Sequence, residues 1–388
     1  MPHLVRPKFV AFDTNQLGNW CRDRCASNAD FRARARRFEE AILNQGIIPL
    51  LTWHHFEELL AIENQDTAAA RITFLNDLPM VAWVVAADER TALGGVVDIL
   101  AGELAAALAI NAPDACTTCD HAARTMIQVG SGRDAMRPYV EIWGNLQPIF
   151  WQRARQTRAH VAIVDSTGFD ISDKKVVDLL SGGIRSGENL AAHLRTMQTS
   201  LAKEITDRGD KRIRDPDAIA NQFMLEVIEI ATPSAADARE LVLRGLALMD
   251  IELSDIAPDT TMSEINALSV FRKQARVAAR SAGLNEADAR HVPMNTIPSW
   301  RISRALSTYK QDQAERKGSN LIDGHLATLA PYADITFVDK RTMETLRRAF
   351  ARSNEMTKLV RDVRRTTNYF DAPLASRGLA VENKATTV

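Results

Sequence analysis

Apolar and polar positions along the chain fall into two regimes. Over residues 8–17, KFVAFDTNQL, Val10 and Phe12 alternate with the smaller Ala11 and then give way to Asp13, Thr14 and Asn15, the pattern of a core strand running into a loop. Residues 31–44 carry Phe31, Ala35, Phe38, Ala41 and Ile42 at helical spacing, and Gly46 closes that helix. GIIPLL at 46–51 reads as a second strand, after which Thr52 opens a helix with Trp53, Phe56, Leu59 and Leu60 on its apolar side. A helix over 68–78 and a third strand over 80–85 complete this alternating block.

From 89 to 298 the period becomes helical almost throughout, with helices expected over 92–110, 137–156, 189–206, 217–230, 235–249 and 263–282. HVAIV at 160–164 fits either a lone strand or the start of a buried helix. Breaks fall at Pro113, at Gly130 to Gly132 and in SGGIRSGEN at 181–189; the last lacks the Lys-Ser/Thr of a phosphate loop and reads as a turn with a helix cap. Strand and helix alternation then returns: a helix over 299–315, a short one over 321–330, a strand over 334–338 and a helix over 342–351. The expected architecture is α/β, a three-layer α/β/α domain with a parallel sheet made from residues 1–88 and 299–372. A mostly α-helical insertion at 89–298 interrupts it, and a polar tail follows at 373–388.

Composition narrows the function classes. With 48 Lys and Arg against 49 Asp and Glu, the net charge of -1 gives no whole-surface attraction to nucleic acid, so any such binding needs a local basic groove. No apolar span reaches 18 residues, since the richest stretch, 94–110, contains Asp98 and Glu103; the expectation is a cytoplasmic protein with no membrane segment. Cys21 and Cys25, with Cys116 and Cys119, have spacings that could reach one zinc ion, but the pairs lie far apart in sequence and reduced thiols are the simpler expectation.

Four acids stand where chemistry is favoured. Asp13 and Asp339 each end a predicted buried strand; Glu58 and Asp323 lie in short helices that must pack beside those strands. Asp13 also suits a helix N-cap, and Glu57 with Glu58 also suits the positive end of a helix dipole. If the flanking segments form one parallel sheet, the four carboxylates meet at one rim, where their repulsion is relieved by hard divalent cations. Mg²⁺ or Mn²⁺ held there, in a pair ~4 Å apart, activates water and stabilises a leaving oxygen of a phosphodiester. His54 lies four residues before Glu58 and could hydrogen-bond to it; the order H-x-x-x-E is not the H-E-x-x-H zinc signature.

These stretches resemble the PIN-domain metal-dependent nucleases, a family that includes toxin ribonucleases and RNA-processing endonucleases. The resemblance rests on Phe12-Asp13-Thr14-Asn15, on Glu58-Leu59, on Asp323 with Leu326, Ala327 and Ala330, and on Phe337-Val338-Asp339, in that order. It covers roughly residues 5–90 and 299–370. It implies a PIN-like fold and a metal-binding catalytic set of Asp13, Glu58, Asp323 and Asp339, with Asn15 or Thr14 steadying Asp13. The expected activity is hydrolysis of RNA, single-stranded or at exposed loops, in a setting such as bacterial defence or a growth-arrest toxin. Arg341 and the arginines of residues 31–44 are the candidates for holding the phosphate backbone.

Three features depart from the family pattern. Phe337 stands where a Thr or Ser often precedes the last acid by two positions, Glu57 competes with Glu58, and small members lack the insertion. Two rival readings accompany the nuclease: a non-catalytic PIN-like scaffold that binds protein or RNA through the helical insertion, and a DNA nuclease of the flap-endonuclease type; an oligomer is compatible with each. The second would need a helical arch of clustered Lys and Arg with extra acids, and the insertion has no such concentrated run; KEITDRGDKRIRD at 203–215 is a charged connection whose three arginines and two lysines point weakly to an RNA-facing surface.

Overall fold

The computed structural model describes residues 7–164, 173–181, 187–231, 238–309 and 319–372. The 182–186 part of the glycine-rich break and the 373–388 tail lie outside the described residues. The chain divides into two compact units, one of residues 1–153, 277–311 and 322–388, the other of 154–276 and 312–321.

The first unit is built on a six-stranded sheet. Strand β1 (Lys8–Ala11) runs into α1 (Thr14–Arg24) and α2 (Ala29–Asn44), then β2 (Ile47–Leu51), α3 (Trp53–Leu60), α4 (Gln65–Asn76) and β3 (Val81–Val84). Helices α5 (Val96–Ile110) and α6 (Ala115–Met126) lead into β4 (Ile127–Gly130), α7 (Gly132–Met136) and α8 (Trp143–Val164). The second unit holds α9 (Val176–Ser181), α10 (Gly187–Arg208), α11 (Pro216–Ala231), α12 (Ala238–Leu248) and most of α13 (Met262–Ser281). The chain then gives α14 (Glu286–Arg290), α15 (Pro298–Thr308), α16 (Ser319–Ala327), β5 (Ile335–Phe337), α17 (Lys340–Arg352), α18 (Asn354–Leu359) and β6 (Val363–Arg364).

Strand order is β4-β3-β2-β1-β5-β6. β1 pairs in parallel with β2, Val10 opposite Pro49, and with β5, Val10 opposite Ile335. Among the described strands of this sheet, β3 and β4 pair antiparallel and the other pairs are parallel. The chain leaves β1 toward β2 and returns on its other side at β5, so the strand order reverses at β1. A crevice outside the carboxyl ends opens at such a point.

The two faces of the sheet bury different clusters. Val10, Phe12, Ile47, Leu51, Val81, Trp83, Ile335 and Phe337 point to one face, where they meet Leu17 and Trp20 of α1, Phe38 of α2, and Phe56 and Leu59 of α3. Ala11, Ile48, Leu50, Ala82 and Val84 point to the other and meet Ile99 of α5, Met126 of α6 and Leu359 of α18. Successive side chains on a strand alternate faces, which is why the two clusters interleave residue by residue. Phe12 is 1% exposed, stacks on Phe337 at 5.8 Å and meets Phe38 edge-on at 6.1 Å; burying one such ring contributes about 1.5–3 kcal/mol. The fold is therefore α/β with helices on both faces of a mostly parallel sheet.

Several expectations are corrected. The insertion does not begin at residue 89, because α5, α6 and β4 belong to the sheet-bearing unit and β4 pairs with β3 from Val81 opposite Gly130 to Val84 opposite Ile127. That strand also breaks the all-parallel expectation. Residues 160–164 are neither a strand nor a helix start but the end of α8. Helix α6 went unpredicted because its buried positions include the small Ala115, Cys119 and Ala122, which give little periodic signal. Cys21 lies in one core and Cys119 in the other, across the sheet, so the four thiols cannot share one zinc ion. Gly46 adopts φ 64 after α2, the left-handed turn that glycine takes without steric cost.

Among the described residues no single helix is long and apolar enough to cross a membrane; α5 and α6 pass such a test only as a pair bent by 113°.

Candidate active site

The carboxyl edge at the β1 switch point gathers the predicted acids. Asp13 follows β1 and caps α1, its Oδ1 accepting from the Asn15 amide at 2.8 Å. Asp339 follows β5 and caps α17, accepting from the Thr342 amide at 2.8 Å. Each of these two acids is thus both a strand end and an N-cap. Glu58 comes from α3 after β2, and Asp323 from α16 before β5.

Electrostatics shows that the four feel one another. Burial raises the Asp13 carboxyl, and the charge of Asp339 adds to the rise against the opposing hydrogen bond from Asn15. Glu58 is pushed up to about 7, first by burial and then by the charges of Asp13 and Glu57. Asp323 is pushed up to about 8, again first by burial, with Asp339, Glu58 and Asp13 contributing and Arg341 opposing. A desolvated carboxylate among like charges favours its protonated form. Glu58 Oε2 is buried without a hydrogen-bond partner, as is the Thr14 hydroxyl. Thr14 still tempers the rise at Glu58, so the two stand near one another without a closed bond. Thr14 therefore serves Glu58, whereas Asn15 steadies Asp13 through its backbone amide.

Glu57 and Glu58 have separate roles. Glu57 Oε1 accepts from Arg153 Nη1 at 3.3 Å, and Oε2 lies 3.6 Å from His54 Nδ1. Burial alone would raise this carboxyl, but His54 and then Arg153 outweigh it and hold Glu57 below the usual value. The expected His54–Glu58 contact is replaced by His54–Glu57, three residues apart on the helix. The Val96 amide donates to His54 Nε2 at 3.1 Å, which leaves the imidazole proton on Nδ1, facing Glu57.

Two histidines of the site had drawn no attention in the sequence. His55 is 1% exposed; its Nδ1 accepts from the Thr52 amide at 3.1 Å and its Nε2 donates to the Phe12 carbonyl at 2.9 Å. It thereby ties the end of β1, one residue before Asp13, to the first turn of the helix that carries Glu58. Burial drives its pKa down to about 4, so it is a neutral strut. The ring of His325, on the helix of Asp323, lies against that of His54 with centroids 4.5 Å apart and planes tilted by 39°, and its Nδ1 is buried without a hydrogen-bond partner. Its pKa falls to about 3, chiefly by burial. Neither histidine sits in a motif; only the pairing of distant segments reveals them.

The arginines of residues 31–44 divide. Arg34 gives two hydrogen bonds to Asp23, whose Oδ2 also accepts from the Tyr369 hydroxyl, and Arg32 donates to the carbonyls of Ala26 and Ser27. Those two serve the fold rather than a phosphate. Arg36 and Arg37 are exposed. Phe337 belongs to the aromatic core, so a hydroxyl two positions before the last acid is replaced by packing.

The donor set suits a hard divalent ion: all the acids offer oxygen, Asp13, Glu58 and Asp323 are raised first by burial and then by a neighbouring acid's charge, and one buried carboxylate oxygen lacks a partner. Among the described residues no three His, Cys, Asp or Glu side chains form a ready-made cage for one ion. Mg²⁺ does not need one, since it keeps several waters and takes one or two carboxylates together with substrate phosphate oxygens. Comparison of the chain with known protein families, with curated proteins and with solved structures returns no match.

Proposed function

We propose that the protein is a metal-dependent endoribonuclease of PIN-like fold that hydrolyses phosphodiester bonds at the rim of Asp13, Glu58, Asp323 and Asp339. The observation that carries this reading is the gathering of three buried carboxyls, each from a different element and each raised first by burial and then by the charge of a neighbouring acid, at the switch point of a mostly parallel sheet. Buried carboxyls with raised pKa values at a sheet's switch point are the pattern found at functional sites, where acids are kept at a loss to stability.

In this reading the four carboxylates hold Mg²⁺ or Mn²⁺, which when bound supplies a water nucleophile at neutral pH and charge for the leaving oxygen. The residues of this chain provide the rest. Asn15 fixes the Asp13 carboxylate through its amide, and Thr342 does the same for Asp339. His55 sets the distance between the ends of β1 and β2. Arg341, which offsets the acidic field at Asp323, is placed to orient a substrate phosphate.

The test is cleavage of labelled single-stranded RNA and of DNA of the same sequence with Mn²⁺, with EDTA, and with Asp13→Asn or Asp323→Asn. Metal-dependent cutting of RNA that each substitution abolishes in a folded protein is the expected result. A rim that takes up no Mn²⁺ by calorimetry would sink the nuclease in favour of a scaffold.

A further inference from the structure

Helix α17 is capped by Asp339, on the rim itself, and its exposed side is rich in cations. Thr342, Met343, Thr345, Leu346 and Ala349 are buried, while Lys340, Arg341, Arg347, Arg348 and Arg352 are exposed. At 3.6 residues per turn these five cations share one stripe, interrupted only by half-buried Glu344 and by Ala351. Glu344 lies 3.8 Å from Arg348, and the Arg352 guanidinium sits 5.3 Å from the centre of the Tyr309 ring. A stripe with five cations and one anion, in a chain whose net charge is -1, is a local concentration rather than an average surface. Ordinary solvated helix faces mix the two signs.

The placement also runs against stability. Lys340 and Arg341 occupy the first turn, the positive end of the helix dipole, where cations are disfavoured by about 0.3–1 kcal/mol each. An external anion running over that turn would offset the cost. The helix spans about 20 Å at 1.5 Å per residue, enough to follow several consecutive phosphates.

We propose that the exposed stripe of α17 is the track that binds the phosphate backbone of a single RNA strand and leads it to the acidic rim. The proposal rests on the nuclease reading for its direction toward the acids, and on charge complementarity for the binding itself. Contacts of this kind neutralise phosphates and carry no sequence information, so the track contributes affinity and register rather than specificity.

The experiment is fluorescence anisotropy of labelled single-stranded RNA, and of single-stranded DNA of the same sequence, with the full chain in EDTA, across a salt series. The triple variant Arg347→Glu, Arg348→Glu, Arg352→Glu is compared with wild type and with Arg133→Glu, Arg137→Glu, two exposed cations on and just after α7. For single strands each lost phosphate contact flattens the logarithmic salt slope by about 0.7, so the triple variant is expected to lose about 2 from the slope and about tenfold or more in affinity. The α7 variant and a triple Lys variant of the same α17 positions are expected to bind as wild type does. An unchanged slope in the triple Glu variant, with its circular dichroism intact, overturns the track whether or not the acids cut RNA. A slope loss confined to DNA overturns the assignment to RNA. Loss of RNA binding in a protein whose acids prove inert keeps the track and removes the nuclease.

Discussion

Replacing Asp323 with Asn should make the metal-free protein more stable while abolishing the proposed RNA cleavage. The Asp323 carboxyl has an ordinary value of 3.8 and is raised to about 8 in the fold. A raised folded pKa contributes stability that is full below 3.8 and lost as pH climbs through about 8, because the folded state binds the proton more tightly than the unfolded one. At 1.36 kcal/mol per pKa unit the full shift corresponds to roughly 6 kcal/mol, a ceiling that water entry at a partly exposed rim reduces to about 2 kcal/mol. Asparagine keeps the shape and never ionises. The assay is urea unfolding in EDTA at pH 5 and at pH 8.5: wild type should lose stability between them, and Asp323→Asn should lose less. With Mn²⁺ at about a hundred times its dissociation constant, wild type should regain about 2.7 kcal/mol at the higher pH and the variant much less. If Asp323→Asn in EDTA is no more stable than wild type at pH 8.5, the acids do not repel one another across the rim, and the electrostatic basis of the site fails.

Further outcomes follow from single contacts. His55→Ala leaves the Thr52 amide and the Phe12 carbonyl without their partner in a buried site and should cost about 3 kcal/mol in urea unfolding. His55→Gln should recover part of that loss, and a cost below ~1 kcal/mol for the Ala variant would deny the strut. Because His55 falls from 6.5 to about 4, its contribution is present above 6.5 and lost as pH falls through about 4, a slope that should vanish in the Gln variant. Glu103 is wholly buried and accepts from the Ser299 amide at 2.8 Å, from the Ser299 hydroxyl and from the Tyr332 hydroxyl. Glu103→Ala should therefore destabilise by about 3–5 kcal/mol, far more than Tyr332→Phe, and equal effects would refute this hub. Cys25 is exposed, whereas Cys21 and Cys119 are buried with thiols raised to about 12. Alkylation of the native protein followed by peptide mapping should label Cys25 while sparing those two, and labelling of Cys119 at the same rate would contradict the packing of α6.

Periodicity and turn chemistry alone determined most of the elements around the rim. The strands at 8–11, 47–51, 81–84 and 335–337 are short apolar runs bounded by turn formers, and Asp13 and Asp339 are legible because an acid that ends such a run also caps the next helix. Strand β4 was not legible: its residues are half-exposed or exposed, and Val129, 45% exposed, leaves no alternation to read. Nor could spacing within one helix distinguish the roles of Glu57 and Glu58, since they are adjacent in the second half of α3. That choice was made by residues far away in sequence, Arg153 drawing Glu57 aside while Asp13 and Asp323 surround Glu58. The strut of His55 to Phe12 and the hub of Glu103 with Ser299 and Tyr332 join segments 43 and about two hundred residues apart. Local sequence sets which backbone conformation is cheap; which buried polar groups find partners depends on what the sheet order brings together, and only the tertiary structure decides that.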